Sequence, residues 1–199
     1  MVSFDEQAIL DNGAYIYNQR AEIERIADEI CEKGFDSIFF TSSGGSLAMM
    51  QPFDYMVSVM SDIPVQSQVS ADFLTVGNRR IGKGTLAFMA SKSGDTKETV
   101  AAAKAAKDAG CTIVSTLGVD GSPLGELSDY GVIYKQGRPM ELVLYLLIGK
   151  ILKNRGFFDD YDRFADELVN LPAALVSVGK NADEMARAYA LKHKDDPYQ

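Results

Sequence analysis

The stretch Thr85–Thr96, TLAFMASKSGDT, decides how the rest of the chain reads. Its first half, Thr85 to Ala90, is a short apolar run without alternation. That is the pattern of a strand buried on both faces of a sheet. Its second half, Ser91-Lys92-Ser93-Gly94-Asp95-Thr96, is a turn of hydroxyls and glycine. An alanine-rich helical segment follows, ending near Ala109. Asp95 and Glu98 have the spacing of a capping box at its start, and Gly110 stands where a helix closes.

Working outward, the same unit recurs. Upstream, Ser37 to Thr41 (SIFFT) reads as a buried strand and runs into Ser42-Ser43-Gly44-Gly45-Ser46. A Met-rich helix is predicted over Leu47 to Met60, and a short strand over Pro64 to Val69. Downstream, Cys111 to Leu117 is the next strand, followed by a loop with Gly118, Gly121 and Pro123. Val132 to Tyr134 reads as a last short strand. Strands alternating with helices at this spacing define an α/β chain. The expected fold is a three-layer α-β-α sandwich with a mainly parallel sheet.

The flanks are helical. Asp5 to Lys33 carries Ile23, Ile26, Ala27 and Ile30 on one helical face, with Gly34 as its cap. Met140 to Lys153 is apolar nearly all round, which predicts a buried helix. Phe157, Tyr161, Phe164, Leu168 and Leu171 recur at 4, 3, 4, 3 and predict an amphipathic helix ending near Pro172. A polar helix is expected over roughly Gly179 to Lys194, and the tail to Gln199 reads as unstructured. Met140–Lys153 and the aromatic stripe offer more apolar surface than one sheet face covers. Either they form the interface of a homodimer or larger oligomer, or they cover each other.

Composition narrows the function. The 199 residues carry 20 Lys+Arg and 28 Asp+Glu, a net charge of −8. With no basic block, a free-standing nucleic-acid surface is disfavoured. No stretch approaches the ~20 apolar residues of a membrane span, and the N-terminal MVSFDEQAIL lacks signal-peptide features. Cys31 and Cys111 are too far apart in sequence for a CxxC pair, and His193 is the sole histidine. No metal site or cofactor is therefore expected, and the cysteines read as filler in a reducing cytoplasm.

Chemistry is expected beyond the carboxyl ends of the strands, where open parallel sheets bind ligands. Two such ends carry hydroxyl–glycine turns that open helices. One turn of this kind reads as cap and turn chemistry. Two at equivalent positions read as a site for a small anion, because glycine permits close approach and helix-start N–H groups favour negative charge. Neither turn is a Walker A loop or a GxGxxG fingerprint.

The two turns, TSSGGS at 41–46 and ASKSGDTKET at 90–99, resemble those of the sugar isomerase (SIS) domain family of phosphosugar-handling proteins. The likeness covers roughly residues 20 to 154. The second turn is similar to the Ser-x-Ser-Gly-Glu/Asp-Thr motif that wraps the sugar phosphate in that family. The resemblance implies a substrate site of Ser43, Gly44, Gly45, Ser46, Ser91, Lys92, Ser93, Gly94 and Thr96. Relatives often carry Gln where this chain has Lys92, a charge suited to phosphate or to a substrate carboxylate. The pattern is most similar to the branch with two SIS copies, which includes fructosamine 6-phosphate deglycases and the isomerase half of glucosamine-6-phosphate synthase. It implies a SIS domain over 1–155 with an N-terminal helix, and a helical connector over 156–199 leading to a second copy outside this chain. The implied ligand is a sugar phosphate or fructosamine 6-phosphate. The implied chemistry is proton transfer between C1 and C2, with the main acid/base residues in the second copy. A sugar-phosphate sensor without turnover, or a glucosamine-6-phosphate synthase-like isomerase, is the alternative.

Overall fold

The computed structural model describes residues 5–135 and 139–196. Five strands form one sheet: β1 Ser37–Ser42, β2 Val65–Val69, β3 Thr85–Ser91, β4 Thr112–Leu117 and β5 Tyr130–Ile133. All neighbouring pairs are parallel and their order is β2-β1-β3-β4-β5. All seven residues of the central strand β3 are buried, which is why its sequence is an unbroken apolar run.

The two faces have separate cores. Phe40, Phe88 and Val114 stand in one cross-strand row and belong to the larger core. Helices α2 Arg20–Lys33, α3 Gly44–Met60 and α7 Glu141–Asn154 supply the other side of that core. Phe39, Ala87, Met89 and Ile113 point the opposite way. They meet Ala102, Ala103 and Ala106 of α5 Lys97–Asp108, with α4 Ser70–Val76 and α6 Pro123–Leu127 alongside. The alanines are fully buried, and their small side chains let α5 lie close to the sheet. The fold is thus the expected three-layer sandwich.

Several boundaries differ from the sequence reading. The N-terminal helical stretch is two helices, α1 Glu6–Tyr17 and α2, broken at Asn18–Gln19. Gln19 Nε2 at the break donates to the Ile133 carbonyl at 3.0 Å, tying the break to the end of β5. Helices α4 and α6 are too short for periodicity to reveal. Pro123 opens α6, a position where its missing N–H leaves no bond unmade.

The C-terminal region is reorganised for the same reason. Helix α8 Tyr161–Glu167 leads through a 3-10 turn, Leu168–Asn170, into one long helix, α9 Leu171–Lys192. Pro172 starts that helix instead of ending its predecessor, and Gly179 lies inside it. The expected unstructured tail is described only to Asp196; its last three residues lie outside the described residues.

The aromatic stripe does not form an outer surface. Tyr161 is fully buried and its hydroxyl donates to the Leu146 carbonyl at 3.0 Å, so burial raises its phenol well above the usual range. A Cβ on Gly149 would lie 2.9 Å from the Tyr161 ring, so glycine inside α7 is what admits the tyrosine. Phe53, Tyr145, Phe164 and Phe158 form a chain of ring contacts between α3, α7 and α8. The two apolar segments therefore cover each other.

Candidate functional site

Both hydroxyl turns lie at the carboxyl edge of adjacent parallel strands. After β1 the chain turns into α3 on one face; after β3 it turns into α5 on the other. The order 2-1-3-4-5 puts the topological switch point, with its crevice, between these two strands.

The crevice opens because the ladder between β1 and β3 stops early. Its last register pair is Phe40 with Phe88. Two residues further on, Ser42 Oγ donates to the Ala90 carbonyl at 2.9 Å and accepts from Ala90 N–H at 2.8 Å. A side chain thus replaces a strand partner and fixes the width of the gap. Thr41 and Ser70 hydroxyls, 3.2 Å apart, brace the other side of β1.

The first turn is shorter than the sequence implies, because α3 begins at Gly44. Gly44 takes φ 53°, a left-handed value that a side chain would strain. Gly44 and Gly45 are exposed, and a Cβ on Gly45 would meet nothing within 4 Å. Ser43 is the N-cap residue, yet its side chain makes no cap bond. Its Oγ instead approaches Thr99 Oγ1 at 3.4 Å, across the crevice on α5. Ser46 is half-buried in the first turn of α3.

The second turn is tied to itself and to its neighbours. Gly94 N–H donates to the buried Ser91 Oγ at 2.9 Å, and Ser91 Oγ lies 3.2 Å from Thr96 Oγ1. Ser93 Oγ donates to the Asp95 carboxylate. Gly118 N–H donates to the Ser91 carbonyl at 3.2 Å and Leu124 N–H to the Gly94 carbonyl at 2.9 Å. The segment after β4 therefore supports this turn from behind. Lys92 and Ser93 remain exposed, Thr96 half-exposed.

The expected capping box is not formed. Thr96 is the N-cap and makes no side-chain cap bond; Lys97 and Glu98 are the first two helical positions. Asp95 lies one residue outside the helix and takes the Ser93 hydroxyl. The first-turn N–H groups of α3 and α5 have no intrahelical carbonyl to bond, and both helix dipoles place positive potential at the crevice. Such an arrangement suits an anion with hydroxyl-bearing substituents.

Of the expected site residues, Ser43, Gly44, Gly45, Ser46, Lys92, Ser93 and Thr96 reach the surface of this edge. Ser91 and Gly94 are buried and shape the second turn. The sequence reading missed Ser42, Thr99, Gly118 and Ser122, which set the spacing of the two turns. Thr99 was legible in principle, since it lies three residues beyond Thr96 on the inward face of α5. Among the described residues, the buried hydroxyls of Thr116 and Ser122 have no partner.

Other titratable groups lie elsewhere. The His193 ring pairs with Asp196 at 2.6 Å at the end of α9. Both cysteines are free, and burial pushes the Cys111 thiol up to about 11. Near β5, burial and the Glu141 carboxylate raise the Tyr134 phenol. Among the described residues no helix is long and apolar enough to cross a membrane.

An open parallel sheet with hydroxyl–glycine helix starts at its switch point defines a class of small-anion-binding α/β domains. Within it, this chain belongs to the SIS domain family, whose model matches residues 33–148. It is 31% identical over 175 residues to the glutamine–fructose-6-phosphate aminotransferase (isomerizing) of Thermotoga maritima, covering 82% of this chain and 28% of that one. It is 27% identical over 179 residues to the fructosamine deglycase FrlB of Bacillus subtilis, covering 84% and 55%. Among solved structures, a phosphosugar isomerase-like protein of Salmonella typhimurium LT2 superposes with a TM-score of 0.81 at 25% identity, covering 88% and 56%. The chain thus spans between about a quarter and a little over half of the curated relatives it matches.

Proposed function

We propose that the crevice binds the phosphate of a phosphorylated sugar, and that the chain is the phosphate-holding part of a sugar-phosphate isomerase or fructosamine 6-phosphate deglycase. The observation that carries this reading is the convergence of two helix starts, each preceded by a hydroxyl–glycine turn, on one switch point. Ser93, Ser46, Thr96 and the first-turn N–H groups supply donors; Lys92 supplies the positive charge. Glycines 44 and 45 let the backbone of α3 approach the sugar.

The reaction proposed is proton transfer between C1 and C2 of the sugar. The phosphate serves as the handle, and remote binding energy of this kind positions the reacting carbons. Such a step needs a base with a pKa near the working pH. Asp95 accepts from the Ser93 hydroxyl, and Glu98 lies in the first turn of α5, where a carboxylate complements the helix dipole. We therefore read residues 1–155 as a phosphosugar-binding domain and 156–199 as a helical connector toward a second domain that carries the acid/base groups. The partial coverage of the relatives agrees with this division.

Calorimetric titration with fructose 6-phosphate and with fructose tests the reading. Binding is expected for the phosphate ester and not for the free sugar. A hydrogen bond to a charged group contributes ~1.5–3 kcal/mol, so Ser93→Ala should weaken binding about 10- to 100-fold. Equal affinity for the two sugars, or an unaffected Ser93→Ala variant, overturns it. Loss of a positioned acid/base lowers rates by ~10²–10⁴, so the 199-residue chain should turn over substrate near background. Full turnover by this chain would move catalysis onto Asp95, Glu98 or Glu141.

A further inference from the structure

The two helices that open onto the crevice begin alike and are left uncapped alike. Each has a hydroxyl residue at its N-cap, Ser43 before α3 and Thr96 before α5, and neither side chain makes a cap bond. Serine and threonine at this position ordinarily accept from the N–H two or three residues on. Ser43 has the extended backbone of a capping residue, φ −113° and ψ 143°. Only its side-chain rotamer therefore keeps its oxygen off the N–H groups of Gly45 and Ser46. Asp5 at the start of α1 shows the ordinary outcome, accepting from Ala8 N–H at 2.9 Å.

What differs at the crevice is a second hydroxyl, buried and supplied from outside the helix concerned. Thr96 Oγ1 lies 3.2 Å from Ser91 Oγ, and Ser43 Oγ lies 3.4 Å from Thr99 Oγ1. Ser91 and Thr99 are 2% and 1% exposed. Ser91 ends β3, whereas Thr99 belongs to α5, so the second pairing crosses the crevice. Among the described residues, Ser43 is the hydrogen-bond partner of the Thr99 hydroxyl. Gly44 and Gly45 are exposed, so water serves the N–H groups at the start of α3. Turning away from them is therefore cheap for Ser43, and Thr99 offers it a hydroxyl instead.

We propose that Thr99 is a positioning residue of the site: it draws the Ser43 hydroxyl across the crevice and so keeps the start of α3 uncapped for the ligand. The inference rests on the phosphosugar reading, in which first-turn N–H groups donate to the ligand. A capping Ser43 would set its own oxygen against the N–H of Gly45 or Ser46, where a ligand oxygen has to lie. The ligand would then bind only by displacing it. Thr99, being buried, acts through Ser43 and not on the ligand itself. It also couples the two turns, because the helix that follows the braced turn sets the state of the open one.

Calorimetric titration of fructose 6-phosphate into Thr99→Val and Thr99→Ser tests this. Valine keeps the shape and removes the hydroxyl; serine keeps the hydroxyl. Affinity should fall about 3- to 10-fold in Thr99→Val, the effect of one competing hydrogen bond, and match the parent in Thr99→Ser. Adding Ser43→Ala to Thr99→Val removes the competing oxygen and should restore affinity. A second measurement needs no ligand. In chemical denaturation, Ser43→Ala should lower the midpoint more in the Thr99→Val background than in the parent, because only there does it remove a cap. Equal losses in the two backgrounds overturn the proposal whatever the chain binds. So does a binding-competent parent whose Thr99→Val variant binds equally well, or a double variant that binds no better than Thr99→Val. A parent that binds no sugar phosphate overturns the phosphosugar reading instead, and the denaturation comparison still decides whether Thr99 diverts Ser43.

Discussion

The two hydroxyl turns look alike in sequence and differ in how the fold holds them. The turn after β3 is braced from within by Ser91 and from behind by the segment after β4. A Cβ on Gly94 would lie 2.1 Å from Ser122 Oγ, and one on Gly118 would lie 2.2 Å from the Lys92 carbonyl. The turn after β1 is anchored at its strand end, where Ser42 bonds Ala90, but beyond Ser42 it has open space at Gly44 and Gly45 and its side-chain bridge is the long Ser43–Thr99 contact. One turn is a preformed cradle. The other is a helix start whose backbone is bare. On the proposed phosphosugar reading, the braced turn holds the phosphate and the open turn faces the sugar.

Substituting the glycines tests this contrast most strongly. Gly118→Ala pushes against backbone and Gly94→Ala combines a steric clash with φ 73°. Each should destabilise by about 2–4 kcal/mol, in line with overpacking plus left-handed strain, seen as a lower denaturation midpoint. Gly45→Ala should be neutral or stabilising by up to ~1 kcal/mol, because alanine is the better helix former. Equal losses at Gly94 and Gly45 would erase the distinction between the two turns.

Next in size is Ser91→Ala. It leaves the buried Gly94 N–H without an acceptor, at a cost of about 1–3 kcal/mol. Ser43→Ala removes only a 3.4 Å contact and should change stability by less than ~0.5 kcal/mol. Chemical denaturation of the two variants gives the comparison directly. A costly Ser43→Ala would mean that the first turn is braced as firmly as the second.

The smallest expected effect has the opposite sign. Asp95→Asn removes a negative charge beside the proposed phosphate and loosens the carboxylate's claim on Ser93. An exposed charge pair is worth ~0.2–1 kcal/mol, so affinity for fructose 6-phosphate should rise about 2- to 5-fold. Weaker binding in this variant would mean that Asp95 holds Ser93 in its binding position.

Glu98 and Asp95 show how far a local pattern can be trusted. Their spacing fits a capping box, yet the helix starts one residue later. The Ser93 hydroxyl offers Asp95 a nearer partner than the helix N–H groups do, and spacing carries no information about such competition. Pro172 is the converse case. Proline ends a helix or opens one according to what packs on either side, and here the docking of α8 into the core closed the preceding helix first.

The strand order of apolar runs, the buried character of Met140–Lys153 and the two helix-opening turns follow from the sequence alone, because each depends on periodicity or backbone preference over a few neighbouring residues. The crevice, the bracing of one turn by Gly118, Ser122 and Leu124, and the burial of Tyr161 against Gly149 were decided only by tertiary structure. They join residues 12 to 56 positions apart through close contacts, and a contact of that kind exists only once the chain has folded its strands and helices together.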